Sequence, residues 1–175
     1  MEKITNAMKN FLTFILLTTL FCSCGQTNSS VKQTADTTIK DNISTTFSED
    51  TAKLGRLIDL SIYKPTSVKF KYTFIDNSGK SERLSVPGPS DYSLQAVLYF
   101  DSLTFEKFYA FDRNADYSPP NYNKSEFMFD WLDTDILTEL ENANPNYHGH
   151  PDFFFGSKGK AWYLHGKILI SKWTK

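Results

Sequence analysis

Cysteine occurs only twice in the 175 residues, at Cys22 and Cys24. A domain built from the rest of the chain therefore has no disulfide framework, no thiol nucleophile and no cysteine-based zinc site. Histidine is nearly as scarce, at His148, His150 and His165 alone. Charge of one sign is lacking too: 19 Lys and Arg stand against 20 Asp and Glu. Phosphate recognition needs a basic excess, which excludes nucleic acid as a partner. Neither G-x-S-x-G nor H-E-x-x-H is present. Asn77 to Ser81 ends like a phosphate-binding loop, but its leading glycine would fall at Phe74. Gly156 to Lys160 is followed by Ala161 rather than Ser or Thr, so both stretches are expected to be turns.

One long apolar run is present, from Phe11 to Phe21, preceded by Lys3 and Lys9. Eleven helical residues span only ~16 Å of a ~30 Å hydrocarbon layer, which suits the core of an export signal and not a membrane span. Ser23, Cys24 and Gly25 follow. This stretch resembles the lipobox of bacterial lipoproteins, although Phe21 and Cys22 depart from its usual Leu-Ala/Ser positions. The resemblance implies cleavage after residue 23 and lipidation of Cys24, with the membrane as a partner through that lipid. By the same resemblance, Gly25 after the cysteine implies sorting to the outer membrane, facing the periplasm.

From Gly25 to Asp50, Ser, Thr, Asn and Gln supply 14 of 26 residues, too polar a mixture to offset the entropy of ordering. The chain is thus expected to divide into a signal over 1–23, a disordered tether over 24–50 and one globular domain over 51–175. Val31, Ala35, Ile39, Ile43 and Phe47 recur every four residues, but the Thr-rich intervals disfavour a helix. Residues 51–175 balance 15 basic against 15 acidic side chains and hold 23 aromatics, enough for a sizeable core.

Asp50 or Thr51 is expected to cap a short helix carrying Leu54, Leu57 and Ile58. Val68, Phe70, Tyr72 and Phe74 alternate with polar residues in the period of a half-buried strand. A second strand is expected around Glu82 to Val86, and the continuous apolar run from Leu94 to Phe100 reads as a central strand. Ser102 is placed as the cap of a helix with Phe105, Phe108 and Tyr109 on its inner stripe. Phe127, Phe129 and Trp131 alternate like a strand, with a helical turn as the other reading. Thr134 to Asn142 is expected to be helical, and His165-Gly166 to join strands 160–164 and 167–171 in a hairpin. The fold class is α+β: a single small domain with a largely antiparallel sheet of about five to six strands and two to three short helices.

Tyr147, His148, His150, Asp152 and His165 are the candidate ligand-binding residues. Alternate positions of an extended segment would turn His148, His150 and Asp152 to one side as weak metal-ligand candidates, with His165 as a possible base. No cofactor is expected. Glu126, Asp130, Asp133, Asp135, Glu139, Glu141 and Asp152 lie in a stretch without Lys or Arg, and five lysines follow from Lys158. That asymmetry is either a docking face for a basic partner or an acidic surface neutralised by the C-terminal lysines. Phe153, Phe154, Phe155, Trp162 and Tyr163 are either a stacking platform or core. Three functions stay open: a non-catalytic binding module, a metal-assisted hydrolase, and an inhibitor or immunity-type protein.

Overall fold

The computed structural model describes residues 36–77, 90–114, 121–149, 154 and 159–174. Among them, seven strands form one antiparallel sheet. In chain order the elements are β1 (Asp36–Lys40), β2 (Ile43–Ser48), α1 (Thr51–Leu54), β3 (Ser67–Ile75), β4 (Asp91–Tyr99), α2 (Ser102–Arg113), a 3-10 turn (Lys124–Phe127), α3 (Thr134–Asn142), β5 (His148–Gly149), β6 (Gly159–Leu164) and β7 (Lys167–Trp173). The sheet order is β1-β2-β3-β4-β7-β6-β5. No described helix is long and apolar enough to cross a membrane.

β4 lies in the middle, and both its faces are covered, which explains its continuous apolar run. Leu94, Ala96 and Leu98 face one core with Phe70, Tyr163 and Ile168, closed by Phe105 and Phe108 of α2. Val97 faces a second core with Trp162 and Leu169, closed by Phe127, Phe129, Ile136 and Leu140. The two layers flank the sheet, and each fully buried Leu or Phe side chain contributes ~1.5–3 kcal/mol.

The α+β class, the antiparallel sheet and three helices stand as expected, and the strands number seven rather than five to six. Three of the seven were not expected: the two-residue β5, and β1 and β2 from the segment expected to be a tether. Over Asp36–Ser48 that expectation is corrected: β1 and β2 form a hairpin whose second strand pairs with β3 from Ile43↔Ile75 to Ser48↔Phe70. Backbone pairing and threonine contacts (Thr37 with Thr46, 3.1 Å; Thr45 with Thr73, 3.4 Å) hold these strands, not buried apolar area. Asp41 takes φ 55° in the turn, a conformation that Asp and Asn adopt more readily than other side chains.

Asp50 caps α1 by accepting from the N–H groups of Ala52 and Lys53. Asp101 rather than Ser102 caps α2, its carboxylate accepting from the Thr104 N–H at 2.9 Å. Where the Phe127–Trp131 alternation suggested a strand, the chain makes the 3-10 turn and a bend instead. The reason lies in Asn123 and Glu126, which form a capping box that nucleates the turn. α3 spans Thr134–Asn142 as expected. Gly166, at φ 65°, closes the β6–β7 hairpin where a side chain would be strained. The strand expected at Glu82 to Val86 lies outside the described residues.

Candidate functional site

Two clefts open on either side of the short edge strand β5. Tyr147 and His148 are consecutive in extended backbone, so their side chains leave on opposite faces. Tyr147 packs edge-on against Tyr109, with ring centroids 5.8 Å apart. His148, paired with Trp162 across the strands, lies 5.4 Å from that indole and 5.7 Å from the Tyr122 ring.

The cleft on the α2 side is small, about 170 Å³, and Tyr109, Tyr147, Tyr163, Glu106 and His165 contribute to its wall. Beneath it Asp112, only 4 % exposed, accepts a hydrogen bond from the Tyr163 hydroxyl at 2.7 Å. Gly149 makes room for this pair: a Cβ there would stand 2.1 Å from Asp112 Oδ2 and 2.8 Å from Tyr163 Cε2. The Arg113 guanidinium stacks 5.1 Å from the Tyr109 ring and donates to the Asn146 carbonyl at 2.5 Å. This side is a bonded, space-filling arrangement.

The cleft on the opposite face is larger, about 590 Å³, and is lined by Asn121, Tyr122, Asn123, Lys124, Glu126, Asn146, His148 and Trp162, among others. Two nitrogens of residues in its lining, Nδ1 of His148 and Nε1 of Trp162, are buried with no hydrogen-bond partner among the described residues. Desolvation, reinforced by the positive charge of Arg113, lowers the His148 pKa, so the imidazole is neutral at pH 7. The two charged side chains of the lining, Lys124 and Glu126, are both engaged. Lys124 donates to the carbonyls of Glu141 (2.8 Å) and Ala143 (2.7 Å). Glu126 pairs with Lys160, and that hydrogen bond is the main cause holding its carboxyl below the usual range.

The structure therefore brings Tyr147 and His165 to one cleft and His148 to the other. Cys24, His150 and Asp152 lie outside the described residues. Among the described residues, no three His, Cys, Asp or Glu side chains are grouped as a metal site would need. Much of the acidic segment is neutralised across the fold: Lys160 pairs with Glu126, Lys71 with Asp130, Lys69 with Asp133 and Lys167 with Glu139. Two of those four lysines come from β3 rather than from the C-terminal run. Phe154, Trp162 and Tyr163 are core, each about 1 % exposed, so they offer no open stacking face.

Sequence reasoning did not single out Asp112, Gly149, Tyr122, Asn121 or Asn123. The last two had a signal, since Asn-Tyr-Asn before the Lys124 turn supplies carboxamides beside an aromatic ring. Asp112 had none, because its burial depends on where β5 crosses α2. No protein-family model, curated protein or solved structure matches this chain.

Proposed function

We propose that this chain is a lipid-anchored protein of the bacterial cell envelope that serves as a non-catalytic binding module. Its anchor is Cys24, and its placement is the periplasmic side of the outer membrane, as the resemblance of residues 11–25 to lipoprotein signals implies. The observation that carries the binding role is the pair of buried nitrogens, His148 Nδ1 and Trp162 Nε1, that have no partner among the described residues and belong to side chains lining the larger cleft. A buried polar group left unpaired costs ~1–3 kcal/mol, a burden relieved when a ligand supplies the missing partner.

The metal-assisted hydrolase reading has less support, because His148 and His165 line different clefts. An acidic docking face for a basic partner is weakened by the four lysine pairs.

Two measurements test the proposal. Cys24→Ala should abolish palmitate incorporation and release the protein from the membrane fraction; unchanged retention overturns the anchor. Elemental analysis of the purified full chain should find no stoichiometric metal. One zinc per chain, lost in a His148→Ala variant, replaces the binding module with the hydrolase.

A further inference from the structure

We propose that the larger cleft binds a neutral saccharide, one of whose hydroxyl groups bridges Trp162 Nε1 and His148 Nδ1. This rests on the reading of that cleft as the binding site. An indole N–H only donates, so its missing partner is an acceptor. A neutral imidazole offers one donor and one acceptor nitrogen, and either role at Nδ1 is met by a hydroxyl. A hydroxyl oxygen donates and accepts at a single atom, which an ether, a carboxylate or an ammonium group does not. The two charged side chains of the lining are already engaged, Lys124 by two backbone carbonyls and Glu126 by Lys160.

The rim has the matching chemistry. Asn121, Asn123 and Asn146 are exposed carboxamide carriers, each able to donate and accept. Tyr122, half-buried, adds an aromatic ring to the lining, with the Lys160 ammonium 4.9 Å from its centroid. A volume of about 590 Å³ falls within the ~300–1,000 Å³ typical of small-ligand sites. Both nitrogens are sealed from solvent in the ligand-free protein. A hydroxyl therefore reaches them only as the cleft lining shifts on binding.

The test is a titration of the full chain in detergent micelles with cellotriose, maltotriose and triacetylchitotriose, followed by the indole N–H resonances of its three tryptophans. Trp162→Phe assigns the Trp162 signal. At least one trisaccharide should shift the Trp162 N–H resonance at ~10 mM or below, and His148→Phe, which keeps that signal, should weaken the binding about tenfold or more. Tyr122→Leu, at the rim, gives a second reading should His148→Phe not fold, with an expected loss of about tenfold. If no trisaccharide moves the signal but a neutral peptide such as acetyl-dialanine amide does, the saccharide class is overturned and the binding cleft stands. If inorganic phosphate moves it, the neutrality argument is overturned. If no probe moves it, both the class and the cleft reading fall.

Discussion

On the α2 side of β5, a buried polar cluster is completed from within: Tyr163 donates to Asp112, and Gly149 vacates the space they occupy. On the other side, one residue away along the same strands, His148 and Trp162 pack ring against ring and leave their nitrogens unmatched. Both sides are aromatic, and both are closed by short elements. The difference is that the first satisfies its polar atoms with protein and the second does not. A fold that can place a tyrosine–aspartate bond so closely on one face has no general difficulty in pairing buried groups. The unpaired nitrogens on the other face are therefore a local property of that cleft, as the proposed ligand site requires.

The largest effect should come from filling the space at Gly149. Gly149→Ala puts a methyl group into the Asp112–Tyr163 pair, and overpacking together with a broken buried bond is expected to cost ~3 kcal/mol or more in urea unfolding. A cost below ~1 kcal/mol would mean that the two sides of β5 are equally loose. Tyr163→Phe keeps the ring and removes the donor to a buried carboxylate. It should cost ~1–3 kcal/mol by the same measurement.

His148→Phe sharpens the contrast, because it removes a nitrogen that bonds to nothing. Ligand-free stability should range from unchanged to a gain of ~1 kcal/mol, the opposite sign to Tyr163→Phe. The same variant has a pH signature. Burial holds the folded pKa of His148 below its ordinary value of 6.5, so the unfolded chain binds the proton more readily. Its contribution to stability is present above about pH 6.5 and is lost as pH falls through the depressed folded value. His148→Phe should flatten that part of the stability–pH curve, and an unchanged curve would remove His148 as its source. The smallest effect is expected at Asp130, whose carboxylate is exposed opposite Lys71. Asp130→Asn should change stability by less than ~1 kcal/mol, because surface ion pairs are screened by solvent.

Much of the fold was legible in the sequence, where a periodic apolar pattern coincided with turn or cap chemistry. β3 showed period two, α3 began at Thr134 as expected, and His165-Gly166 marked the last hairpin. β1 and β2 were not legible by the same logic. Their stability comes from ladder bonds and threonine pairs, which leave no hydropathy signature, and the spacing of Ile39 and Ile43 mimicked a helix across the Asp41-Asn42 turn. That dipeptide was the available clue, since Asp and Asn tolerate left-handed backbone. At the candidate site, His148 stood out because histidine is rare in this chain. Its separation from His165 was hidden: two histidines 17 positions apart in sequence say nothing about which face of a sheet each will occupy. Trp162 was noticed as an aromatic, but its unpaired nitrogen is visible only when its neighbours are in place.

The most direct test places two indoles of the same molecule side by side. Trp131 Nε1 donates to Gln95 Oε1 at 2.8 Å, whereas Trp162 Nε1 has no acceptor. In the ligand-free full chain, the Trp162 N–H proton should resonate upfield of that of Trp131, and a bound trisaccharide should move it downfield while Trp131 stays in place. A Trp162 proton already as far downfield as that of Trp131, and unmoved by any probe, would show that the nitrogen is bonded within the protein and would contradict the account.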